Sequence, residues 1–155
     1  MAISTVNDIA DYLLFFAHEH GDQITPPKLQ KLVFYADAWY MALNDDRELI
    51  QNQFEAWVCG PVVQELYTRF ARYQWRPIDE EIKRPELPEE VAKHLDEVYR
   101  VFGGFSLYEL EQLTQQEKPW RIARKNLPDY EPCTNLISKK ITADFYRSMR
   151  EGKKI

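Results

Sequence analysis

Residues 25–43 read Thr-Pro-Pro-Lys-Leu-Gln-Lys-Leu-Val-Phe-Tyr-Ala-Asp-Ala-Trp-Tyr-Met-Ala-Leu. Thr25 is a favoured N-cap residue, and a proline just inside a helix start is tolerated because the N–H it lacks has no intrahelical partner there. Leu29, Leu32, Val33, Ala36, Tyr40 and Leu43 recur at helical spacing, while Phe34, Tyr35, Ala38, Trp39 and Met41 fill most of the remaining circumference. A helix that is apolar nearly all round belongs inside a ring of other elements. The stretch therefore predicts a central helix. Its polar interruptions are Lys28, Gln30, Lys31 and Asp37. Gln30 and Asp37 share one face, where internal hydrogen bonding is the ordinary role of a polar group and lining a pocket the alternative.

Outward from that helix, local signals place the other elements. Thr5-x-x-Asp8 starts a preceding helix with Val6, Ile9, Ala10, Leu13, Phe16 and Ala17 on its buried side, and Gly21 offers a stop. Phe54 to Val58 alternates and reads as a strand, paired with Leu49–Gln51 in a small hairpin. Gly60-Pro61 is expected to end it and open a third helix, with Val62, Val63, Leu66, Phe70 and Tyr73 inward. Residues 76–88 carry three prolines and many charges, which predicts a linker across the surface. A fourth helix runs from about Glu89 to Gly103-Gly104, and Ser106-x-x-Glu109 is a capping box for a fifth. Pro119 opens a short helix holding Trp120, and a basic last helix spans about 137–150 on Ile137, Ile141, Phe145 and Met149. The expectation is a mainly α fold: a single compact multi-helix domain over residues 1–155, with a central hydrophobic helix and at most a small β-hairpin.

Composition narrows the function classes. Of the 155 residues, 45% are hydrophobic and 29% charged, which is the globular range and excludes a disordered chain. No apolar run approaches the ~20 residues that cross a bilayer, and two cysteines are too few for a disulfide framework. The chain reads as cytoplasmic, with no membrane partner. Residues 118–155 hold ten Lys and Arg against four Asp and Glu, although the whole chain carries −5. An acidic body disfavours general nucleic-acid binding. The basic end, with Lys139, Lys140, Arg147, Arg150, Lys153 and Lys154, suits an acidic partner.

Catalytic chemistry is thinly represented. His18 and His20 point apart on a helix, His94 is isolated, and neither cysteine has a second ligand at metal-binding spacing. Phosphate-binding glycine patterns are missing. No metal, cofactor or catalytic group is assigned. Cys59 is the most enzyme-like residue, but a nucleophile needs an oriented base and none is identifiable. Core packing is the ordinary role of Trp39 and Trp120, whereas Trp57 and Trp75 are candidate anchors for a protein partner. If the 54–58 strand lies on an edge, its backbone is open to an incoming chain as well.

Three blocks in fixed order then carry a resemblance. They are Val6–Leu13 running into Ile24-Thr25 and Lys28-Leu29-Gln30-Lys31 through Ala36; Phe54–Trp57 with Gly60-Pro61-Val62-Val63 and Tyr67; and Leu113-Thr114 with Glu117, Pro119-Trp120 and Ala123. The sequence resembles the Panacea-domain, or SocA-like, antitoxins over nearly its whole length. The motif residues have mainly architectural readings: Lys28 to Lys31 form the first turns of the central helix, Gly60 allows close backbone approach, and Trp120 enters the core. Gln115 stands where family members often carry His, so no role of that imidazole transfers. The resemblance implies a non-enzymatic antitoxin of a bacterial or phage toxin–antitoxin system, on mobile elements among others, that binds and neutralises a toxin encoded by a neighbouring gene. The alternatives are a proteolytic adaptor handing the toxin to a bacterial protease, and a DNA-binding autoregulator.

Overall fold

The computed structural model describes residues 2–152. Among these lie seven α-helices and one two-stranded sheet, in the order α1 (Val6–Glu19), α2 (Pro26–Leu43), β1 (Glu55–Trp57), β2 (Gly60–Val62), α3 (Gln64–Phe70), α4 (Glu89–Phe102), α5 (Leu107–Gln116), α6 (Lys118–Arg124) and α7 (Lys139–Arg150). The fold is mainly α, as the periodicities require. Three helix starts coincide with side chains that satisfy free backbone donors: Thr5 accepts from the Asp8 N–H, Thr25 from Lys28, and Ser106 from Glu109, whose carboxylate closes the box on the Ser106 N–H. Gly21, at φ +74°, follows the end of α1.

The second helix is central. It touches α1, α3, α4, α5, α7 and β2, and all but a few of its side chains are buried. Tyr35 is fully enclosed, stacked on Phe102 of α4 at 4.3 Å and edge-on to Tyr146 of α7. Trp39 is only partly covered, and Leu43 is exposed at the helix end.

The region after α2 departs from expectation. β1 pairs antiparallel with β2 in the register Trp57↔Gly60, so Gly60-Pro61 is strand, not a helix start. The helix begins only at Gln64, and Tyr73 falls in a 3₁₀ turn, Ala71–Tyr73, beyond it. Leu49–Gln51 does not pair with β1. The Leu49 and Ile50 N–H groups both donate to Oδ1 of Asp37 on α2, at 3.0 and 3.2 Å. The other edge of β1 is also covered: Ala56 donates to the Asn135 carbonyl and Ile137 to that of Phe54. No free β1 edge is left for an incoming chain.

Residues 76–88 form an irregular strap pinned by two buried isoleucines, Ile78 and Ile82. The Ile78 N–H donates to the Ile24 carbonyl, and His18 contacts the Ile78 carbonyl at 3.1 Å. α7 buries Phe145, and the chain buries Ile137 just before it, as expected, but the helix is rotated so that Ile141 and Met149 are not the rest of its inner face. Thr142, Ala143, Phe145 and Tyr146 are buried, Ile141 is half-buried and Met149 exposed. The buried pair Tyr35–Tyr146 sets that rotation, because both hydroxyls donate to Oε1 of Glu117, at 2.6 and 2.7 Å.

Candidate functional site

The family-type motif Lys28-Leu29-Gln30-Lys31 lies in the first turns of α2, and each member has a separate task. The Lys28 ammonium donates to the carbonyl of Gly103 at the end of α4, 2.7 Å away. Leu29 is core. Gln30 exchanges two hydrogen bonds with the Val63 backbone, fixing the junction between β2 and α3. Lys31 has no exposed surface, and its side chain passes beneath the hairpin turn. Its Nζ donates to the Pro27 carbonyl at 3.3 Å and lies 3.9 Å from Sγ of Cys59. Burial lowers the affinity of Lys31 for its proton, and the charges of Cys59 and Glu111 pull the other way.

The hairpin is fixed from behind by α6. Pro119 and Trp120 are both buried, and the Trp120 indole N–H donates to the Trp57 carbonyl at 2.8 Å. Gln115 holds the turn itself, its side-chain amide donating to the Val58 carbonyl at 2.8 Å. Arg124, one of the ten basic residues counted over 118–155, is buried. It donates to the carbonyls of Ala56, Pro128 and Glu131, tying the 128–131 loop to β1. The signal available in the sequence was weak, because all three acceptors are backbone carbonyls, which no side-chain pattern marks.

These supports leave a groove of 390 Å³ between the start of α2, the hairpin and α3. Pro26, Pro27, Gln30 and Lys31 form one side, Trp57, Cys59 and Val62 the hairpin side, and Tyr67, Phe70, Ala71, Gln74 and Trp75 the far wall. The two tryptophans singled out as anchors thus share one concavity with Gln30 and Lys31 of the motif. Trp75 is 74% exposed and Tyr67 52%. Trp57 is half-buried, edge-on to Tyr67 at 4.9 Å, with its indole N–H held by Glu55 at 2.8 Å. Gln74, at φ +56°, takes a backbone conformation that costs a side-chain-bearing residue of order 1–3 kcal/mol. That turn is what brings Trp75 to the rim.

The basic residues of α7 divide into two groups. Lys139 is tied to Asp37 at 2.7 Å and to Glu48 at 3.3 Å, and Arg147 pairs with Asp46 and Asp144. Lys140 is exposed and reaches Asp144 one turn on, and Arg150 is exposed near the helix end. Lys153 and Lys154 lie outside the described residues. Among the described residues, no three His, Cys, Asp or Glu side chains are grouped to hold a metal ion, and no helix is long and apolar enough to cross a membrane.

The family model of SocA-like antitoxins, Panacea domain, matches residues 29–121. That span is more than half of the chain, from the first turn of α2 into α6. The chain belongs to the SocA-like antitoxin, Panacea-domain family. No curated protein and no solved structure matches it. The Panacea match contains the groove's tryptophans, the hairpin, Gln30 and Lys31, whereas Val6–Leu13 and α7 lie outside it. Family membership attaches this chain to toxin–antitoxin biology in general terms.

Proposed function

We propose that this chain is a non-enzymatic antitoxin, acting in the cytoplasm as a single unit over residues 1–155, that neutralises a cognate protein toxin encoded by a neighbouring gene. Neutralisation is direct: the toxin is bound and its active surface, or the surface it would insert into a membrane, is covered. The observation that carries the reading is the aromatic groove, where Trp75 and Tyr67 stand exposed beside Trp57 within the family-matching span. Large aromatics held on a rigid frame are the side chains that contribute most to protein–protein affinity, because each covers much area at little entropic cost. The frame here is rigid for stated reasons: Trp120, Gln115 and Gln30 each fix one part of the groove's rim through backbone hydrogen bonds.

Co-expression of the chain with its adjacent gene product tests this. A stable complex on purification, together with restored growth, is the expected result, and Trp75→Ala with Tyr67→Ala should release the toxin. Growth restored without any complex would contradict direct binding. The proteolytic-adaptor alternative separates cleanly, since it loses neutralisation in protease-deficient cells and occlusion does not.

A further inference from the structure

Three clefts meet at one exposed side chain in the basic C-terminal part of the chain. Ile122 of α6 is 48% exposed. It lines a cleft of 350 Å³ together with Leu127, one of 400 Å³ with Leu136 and Ile141, and one of 270 Å³ with Ile141 and Phe145. Leu127 and Leu136 are themselves 40% and 55% exposed. Single exposed apolar residues are unremarkable on a protein surface, but apolar side chains sharing adjoining clefts are a feature of interaction sites.

The same clefts are rimmed by cations. Lys118 lines two of them, Lys125 two, and Arg121 one. None of these three takes part in an ion pair within 4 Å among the described residues, in contrast to Lys139 and Arg147. The carboxylates facing the clefts are Asp129 and Asp144, and Asp144 is already engaged by Lys140 and Arg147. Beneath the first cleft, Arg124 keeps one buried N–H, Nε, without an acceptor. A chain carrying −5 overall thus presents a locally cationic face around an apolar centre.

We propose that this Ile122-centred face of α6 and α7 docks an acidic amphipathic polypeptide segment of a partner protein. Apolar side chains of that segment occupy the clefts beside Ile122, Leu127 and Leu136, and its flanking carboxylates meet Lys118, Arg121 and Lys125. Charge complementarity selects the acidic partner and accelerates encounter, while the apolar contacts hold it. A nucleic-acid backbone would satisfy the cations and leave the three apolar side chains without partners. A bilayer surface supplies no side chains to enter the clefts. The face shares no lining residue with the aromatic groove, so the proposal goes beyond the antitoxin reading and stands or falls separately.

The test uses the full chain and a fluorescent synthetic helix with leucines on one face and glutamates elsewhere, followed by anisotropy. Saturable binding is expected, weakening as salt rises. Ile122→Asp and the double substitution Lys118→Glu/Lys125→Glu should each weaken it by about tenfold or more, with unchanged melting temperature because these side chains are exposed. Trp75→Ala should leave it unaltered. Lack of peptide binding, indifference to Ile122→Asp, or loss on Trp75→Ala would overturn the proposal. So would binding of duplex DNA or of phosphatidylglycerol vesicles that the peptide fails to displace.

Discussion

A Cβ built on Gly60 would lie 2.7 Å from Cε of Lys31 and 3.0 Å from Oγ1 of Thr114, and Gly60 has φ +119°. Glycine is needed here twice over, for the backbone angle and for the buried lysine stem that passes under the turn. Gly60→Ala should therefore lower stability by about 1–3 kcal/mol, read as a shift in the urea midpoint; an unchanged midpoint would show that the hairpin can relax. Glu117 gives a second residue-scale prediction. Burial raises its carboxyl above the ordinary value of 4.5, with the hydrogen bonds from Tyr35 and Tyr146 opposing the shift. A raised carboxyl contributes stability that is complete below pH 4.5 and is lost as pH rises through the folded-state value. Glu117→Gln keeps an acceptor for the two hydroxyls and removes the ionisation. Its stability relative to the parent should rise as pH goes from 4.5 to neutrality, and a pH-independent difference would contradict the account.

At the scale of elements, helices announced themselves and their contacts did not. Thr5, Thr25 and Ser106 were legible because a cap acts within four residues of its target. The hairpin was half legible. Alternation at Phe54–Val58 gave β1, but a three-residue strand of Gly60-Pro61-Val62 carries no alternation, and Gly-Pro reads equally as a helix start. The rotation of α7 was legible only in Ile137 and Phe145, because Tyr35, Glu117 and Tyr146, which set it, meet only through tertiary packing. The same holds for Lys139, which a charge count assigns to solvent and the fold gives to Asp37, 102 residues away. This pair joins α7 to α2 and to the Leu49–Ile50 turn, with the Asp37 side chain almost wholly buried. Lys139→Ala leaves that carboxylate without its cation and should destabilise by about 3–5 kcal/mol near neutral pH. Burial already raises the Asp37 carboxyl, and Lys139 is the largest influence lowering it. The deficit should therefore shrink as acid protonates Asp37, and Asp37→Asn combined with Lys139→Ala should recover part of it. A deficit that stays constant with pH would mean that the loss is packing alone.

For the whole molecule, the candidate site was legible in its parts and illegible as an assembly. Trp57, Trp75 and the motif residues Gln30 and Lys31 each stood out in the sequence, yet nothing there places them around one groove. The placement depends on Gln30 gripping the Val63 backbone, on Trp120 and Gln115 holding the hairpin from behind, and on the strained turn at Gln74. The three hydrogen-bonded contacts join segments about 30 to 60 residues apart, beyond the reach of periodicity or capping patterns. The framework is buried and its aromatic rim exposed, so binding and folding should separate under mutation. The most direct measurement is the dissociation constant between the purified chain and the product of the adjacent gene, proposed above to be its toxin, compared with the Trp75→Ala/Tyr67→Ala variant. The account predicts a defined complex for the parent and a loss of about tenfold or more for the variant, at an unchanged melting temperature. Equal affinity for both, or a toxin that is silenced without being bound, would contradict it.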